Sequence, residues 1–243
     1  MIALLLAEYI CLFFIYGILG WVYESLFCIL KTKKWEKRGF LFGPCCPIYG
    51  FGAVAISLIA ALLPASPQEP LWAGLLRIFL ISVFGSMILE YATSVALEKA
   101  FHAVWWDYSD MPFNLNGRIS LFSTLGFGAA GILVVYVITP PFEQMMSFIP
   151  PLVLELMTLV FVGVSSADLT LTVSALTDFE RRIAMAEGGF NDRMEVLVDD
   201  LYRTMDRFQQ AAVCRIKSFR YPKISRKSLA QFRTMIVRRF SRH

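Results

Sequence analysis

The chain has 243 residues, 57% of them apolar and 14% aromatic, with a mean hydropathy of +0.59. That composition excludes an ordinary soluble domain and equally excludes a charged, disordered chain. The net charge of +4 hides an asymmetry: fifteen of the 23 Lys and Arg follow residue 180, so an apolar body carries a basic tail.

Five apolar runs are each long enough for the roughly 20 helical residues that cross about 30 Å of hydrocarbon. They cover 2–30, 44–63, 71–97, 119–138 and 151–173, and the first is long enough to tilt or project. The connection after the first run carries Lys31, Lys33, Lys34, Lys37 and Arg38, and the connection after the second carries none. The third connection holds Lys99 and Arg118, the fourth is free of Lys and Arg, and the tail is strongly basic. This alternation follows the positive-inside rule. The expected fold is therefore an all-α, polytopic membrane protein with five transmembrane helices and its N-terminus outside. Residues 1–177 form the transmembrane domain and 178–243 a cytoplasmic, basic, amphipathic helical tail. Arg77, near the outer end of the third run, is placed to snorkel.

Within the first connection, RGFLFGPCCPIYGFG (38–52) reads as a tight turn into a helix. Gly39 and Gly43 allow sharp bends, and Pro44 and Pro47 suit a first helical turn whose N–H groups are unpaired. The third connection contains HAVWWDYSDMPFNLNGR (102–118), with Pro112 and Gly117 as turn residues, which predicts a structured loop. In the tail, Met194, Leu197, Leu201, Met205, Phe208 and Ala212 form one apolar stripe at helical spacing. The stripe suits packing on the protein's own membrane domain, apposition to the inner leaflet, or a coiled-coil partner in a homo-oligomer. The basic residues beyond it favour anionic lipid over nucleic acid.

Charge inside an apolar span is costly and marks candidate function. Glu24 follows Gly17 and Gly20 at helical spacing, Glu90 continues a stripe of Ser82, Ser86 and Thr93, and Asp168 lies beside Ser165 and Thr172. With Arg38, Trp106, Asp107, Asn114 and Arg118 from the two connections, Glu24 and Glu90 make up the candidate substrate-binding set. Arg38 and Arg118, each beside a helix N-terminus, suit an anionic group; equally, they suit simple pairing with Glu24, Glu90 and Asp107. No metal site or cofactor is expected. The five cysteines and two histidines show no ligand spacing, and GxxxxGK[ST], HExxH, CxxC and GxSxG are all absent. Gly126-Phe-Gly-Ala-Ala-Gly131 matches GxGxxG, but it lies inside an apolar span and follows no strand, so it reads as a helix-packing surface.

Taken together, GWVYE (20–24), the 38–52 stretch, Leu89-Glu90, WWDYSDMPFNLNGRISL (105–121) and, more loosely, RIKSFRYPKIS (215–225) resemble a family. It is that of the bacterial membrane proteins described as putative ABC-transporter type IV, or CmpB-like permeases. The resemblance implies a permease or transport component in the bacterial cytoplasmic membrane, working with the lipid bilayer and a separate ATP-binding subunit. The residues leave two other classes open: a membrane enzyme acting on a lipid or isoprenoid-like substrate, with Asp107 or Glu90 as general acid or base, and a non-catalytic assembly or sensing protein.

Overall fold

The structure is a computed structural model that describes residues 2–33, 39–64, 66, 68–186 and 189–240. It is 78% helical and all-α in class. Its long elements are α1 (Ile2–Thr32), α2 (Pro47–Leu62), α3 (Leu71–Phe101) and α4 (Leu121–Leu133). Next come α5 (Thr139–Ser147), α6 (Pro151–Ala186), α7 (Phe190–Thr204), α8 (Arg207–Cys214) and α9 (Arg226–Phe240).

Four helical stretches are long and apolar enough to cross a membrane: Ala3–Leu30, Leu71–Phe101, Leu121–Ser147 and Pro151–Ala186. The expected second span is only the 16-residue α2, about 24 Å at 1.5 Å per residue, short of the ~30 Å hydrocarbon thickness. Its start is set back because the chain first turns at Gly39 (φ +100°), and the amide of Cys46 donates to the carbonyl of Gly17, midway along α1. The third of these stretches, Leu121–Ser147, runs past the expected 119–138 because α4 continues through a π-helical turn, Val134–Ile138, into α5. Pro140 and Pro141 lack the N–H groups that an α-helix would use there, so the helix widens rather than breaks. The hydroxyl of Thr139 closes the turn onto the Val134 carbonyl at 2.7 Å.

α1 is the central helix. Some 39% of its apolar window is buried, against 11% for α3 and for α6, so it is packed on several sides while they face outward. Gly20 admits the Tyr49 ring, and Gly50 admits Phe13; a Cβ on either would fall within 2.3–2.7 Å of that neighbour. The small-residue face carrying Glu24 therefore does receive a helix, and that helix is α2. Of the GxGxxG glycines, Gly128 packs on Phe79 and Val83 and Gly131 on Ser82, while a Cβ on Gly126 would meet nothing.

The largest apolar core gathers around the C-terminal part of α6. α6 runs unbroken through residues 177 and 178 and delivers Leu176, Phe179 and Ile183 to a cluster completed by α7, α8 and α9. The expected 194–212 stripe does not form one helix. Met205 is extended, and Asp206 and Gln209 form a capping box that starts α8 afresh, which leaves Phe208 70% exposed. Strand β1 (Ala103–Val104), just after α3, pairs antiparallel with β4 (Ser218–Phe219), so the tail is stitched to the α3–α4 connection. That connection also forms a hairpin of β2 (Asn114–Leu115) and β3 (Ile119–Ser120).

Candidate functional site

Between α2, α3 and α4 lies an apolar crevice of about 550 Å³. Small residues hold it open: Gly52, Gly85 and Ala92 line it, and a Cβ on Gly85 would meet nothing within 4 Å. Its charged lining residue is Glu90, 5% exposed on α3. Among the described residues, the Glu90 carboxylate accepts from two hydroxyls, Tyr108 at 3.3 Å and Ser123 at 3.4 Å. Both donors come from one short stretch: Tyr108 from the α3–α4 connection, and Ser123 from the first turn of α4, where Ser120 caps the helix by accepting from the Ser123 amide. Burial, and after it the charge of Glu90, push the Tyr108 phenol above its ordinary range, so it remains a donor. Tyr49, which also lines the crevice, donates its hydroxyl to Glu24 at 2.6 Å and sets its ring 5.9 Å from that of Phe127. Each acid is thus held by a tyrosine hydroxyl: Glu90 lines the crevice itself, and Glu24 stands behind Tyr49, near enough for its charge to act on Glu90.

The other expected site residues lie apart from the crevice. Asp107 is exposed and accepts from the amide and hydroxyl of Ser109. Burial alone would raise its carboxyl, but the Ser109 hydrogen bonds and the charges of Arg220 and Lys217 outweigh that and hold it below the usual carboxylate value. Asn114 donates to the carbonyls of Ser109 and Met111 and accepts from the Gly117 amide. Trp106 donates its indole N–H to the carbonyl of Arg118 at 2.9 Å. These groups are committed to shaping the loop that presents Tyr108. Arg118 does not pair with Glu24, Glu90 or Asp107. Its guanidinium bonds Glu98 at 2.7 Å and Ser94 at 2.9 Å, and lies 5.6 Å from the centre of the Tyr91 ring. Arg38 lies outside the described residues.

The 38–52 stretch is clamped from two sides. The amides of Phe42 and Gly43 each donate to the Asp168 carboxylate at 2.8 Å, and Thr172 adds its hydroxyl at 3.3 Å. From the tail, Arg215 donates to the Leu41 carbonyl and lies 5.5 Å over the Phe42 ring. Burial draws the Arg215 guanidinium below its ordinary value, and the Asp168 and Cys46 charges oppose that. Asp168 is thus a backbone clamp, a use that helical spacing could not reveal because its partners lie some 125 residues away. Tyr49, Tyr108, Ser123 and Glu98 were likewise missing from the expected set. Tyr108 sits inside the WWDYS signature, but a run of aromatics at a membrane–water interface accounts for such a signature equally well.

The family described as putative ABC-transporter type IV matches residues 11–173, which include most of the central helix, the crevice and both signature loops. The chain belongs to that family. No curated protein and no solved structure matches it. With four helices long and apolar enough to cross a bilayer, this family member is a multi-pass membrane protein. The family match ends at residue 173, inside α6, whereas the helical tail core draws on residues 176–240.

Proposed function

We propose that the protein is a permease or transport component whose substrate lies in the crevice between α2, α3 and α4, against the Glu24–Glu90 end. The observation that carries this reading is the crevice itself: an apolar space of about 550 Å³ that ends on a buried carboxylate. Cavities of this size with few convergent polar groups are the usual form of small-molecule sites. A buried acid within an apolar helix is retained where it has work to do. With α2 counted as a fifth, short crossing, positive-inside reasoning sets the tail and the α3–α4 connection in the cytoplasm of a bacterial cell, the N-terminus outside, and the polar end of the crevice near the cytoplasmic face. The chain carries no phosphate-binding loop, so an ATP-driven cycle would need a separate ATP-binding subunit, docked on the cytoplasmic face.

The test is retention of co-purified molecules, read by native mass spectrometry of the full chain. Gly85→Phe fills the crevice where no neighbour obstructs it, and Gly163→Phe places the same ring on an open face of α6 as a control. Loss of bound small molecules from Gly85→Phe alone is the expected result. The same bound complement in wild type, Gly85→Phe and Gly163→Phe overturns the assignment.

A further inference from the structure

The lining of the crevice selects among ligand classes. Its body is formed by Phe51, Ile56, Ile59, Ile81, Ile88 and Leu89. Phe51 is 60% and Ile88 72% exposed, so the mouth opens sideways on a surface that lipid would cover, the direction from which an amphiphile dissolved in a bilayer would arrive. The polar end is acidic. Glu90 is 5% exposed, and a second carboxyl group, that of Glu24, is near enough to act on it. Arg118 and Arg220 both bond the Oε2 of Glu98 instead. Among the described lining residues there is no Lys, Arg or His. Two hydroxyl donors leave part of the acceptor capacity of a carboxylate unused, since it offers about four lone-pair positions. The Tyr49 and Phe127 rings, 5.9 Å apart, line the same crevice as this carboxylate, and ring faces attract a cation.

We infer that the crevice takes an alkylammonium amphiphile, its chain lying among α2, α3 and α4 and its charged head against Glu90 and the Tyr49–Phe127 rings. This rests on the reading of the crevice as the substrate site. An anionic head would meet Glu90 with no cation in the lining to offset it. A neutral head would offer Glu90 a hydrogen bond but no counter-charge, leaving the acid to be buried as an unpaired charge or in its neutral form. An ammonium supplies the missing charge and uses the rings, and its alkyl chain fills the apolar remainder.

Three photoreactive probes with the same dodecyl chain, ending in trimethylammonium, alcohol or sulfate, test the inference on the full chain in lipid nanodiscs. Labelled residues are located by mass spectrometry. The ammonium probe should label crevice residues over the sulfate by about tenfold, the factor given by each ~1.4 kcal/mol of differential affinity. Glu90→Gln should remove that preference; Gly85→Phe should abolish crevice labelling by all three. Phe127→Leu should also weaken the ammonium preference, and it supplies the answer should Glu90→Gln not fold. Equal labelling by alcohol and ammonium, or a preference untouched by both Glu90→Gln and Phe127→Leu, overturns the ammonium assignment and leaves the crevice reading standing. No labelling of crevice residues above that of the exposed Leu159 and Val160 on α6 overturns both.

Discussion

Asp107, Ser109, Asn114 and Gly117 spend their hydrogen bonds on one another, and the product of that arrangement is the position of the Tyr108 hydroxyl. Gly117 is required at its place: it has φ +69°, and a Cβ there would fall 2.4 Å from the Ser109 hydroxyl oxygen and 2.7 Å from the Asp107 carboxylate. Gly117→Ala should lower stability by about 1–2 kcal/mol from the left-handed backbone alone, before any clash. The Asp107 carboxyl is held below its ordinary value in the folded state, so its contribution is fully present above about pH 4 and is lost as pH falls through the lower folded value. Melting curves of wild type and Asp107→Asn should therefore differ at neutral pH and converge in acid. A constant gap down to about pH 3 would show that the Asp107 charge is not what the loop uses. That this loop is structured was legible in its Pro, Gly, Asn and Asp. That it serves Glu90 was not, because the link runs through a tyrosine hydroxyl 18 residues away and a serine 33 residues away.

At the scale of helices, small residues determine where neighbours come close. Gly128 and Gly131 lie against α3, and Gly131 is so tight that a Cβ would fall 1.9 Å from the Ser82 hydroxyl, while Gly126 faces open space. Gly131→Ala and Gly128→Ala should each destabilise the protein, by about 1–3 kcal/mol as overpacking does, whereas Gly126→Ala should be neutral or slightly stabilising. Equal melting temperatures for all three would mean that α3 and α4 are farther apart than described. The packing role of this motif followed from its place inside an apolar run. The lengths of the helices followed less well. Apolar composition gave 44–63 a span's length, but the proline-rich lead-in and the Cys46–Gly17 bond shorten the helix to Pro47–Leu62. Apolar spacing also carried the tail stripe across 205–206, where the Asp206–Gln209 capping box, itself readable as D-x-x-Q, overrides it.

At the scale of the whole molecule, two polar junctions among the described residues join the tail to the helices. One is the Asp168–loop–Arg215 clamp. The other is Glu98, whose Oε2 receives Arg118 at 2.7 Å and Arg220 at 2.9 Å, beside the β1–β4 pair. Sequence spacing could not assign this second junction, because Arg118 lies in a loop 20 positions from Glu98, and Glu98 also receives Arg220 from 122 positions away. The two assignments predict different double-mutant behaviour. The three side chains are 13–29% exposed, between surface pairs worth less than ~1 kcal/mol and buried pairs whose breakage costs about 3–5 kcal/mol. Glu98→Gln leaves two guanidiniums facing each other without their carboxylate and should cost about 2 kcal/mol, on the same scale. Adding Arg220→Gln removes one of the stranded charges, so the double variant should be more stable than the sum of the single losses by about 1 kcal/mol. Glu90→Gln and Arg118→Gln share no hydrogen-bond partner among the described residues, so their effects should add to within about 0.5 kcal/mol. Melting temperatures of these variants in one detergent decide the matter. Rescue of Glu90→Gln by Arg118→Gln, with strict additivity at Glu98 and Arg220, would return Arg118 to the crevice acids and remove Glu90 as an acid lacking an arginine partner.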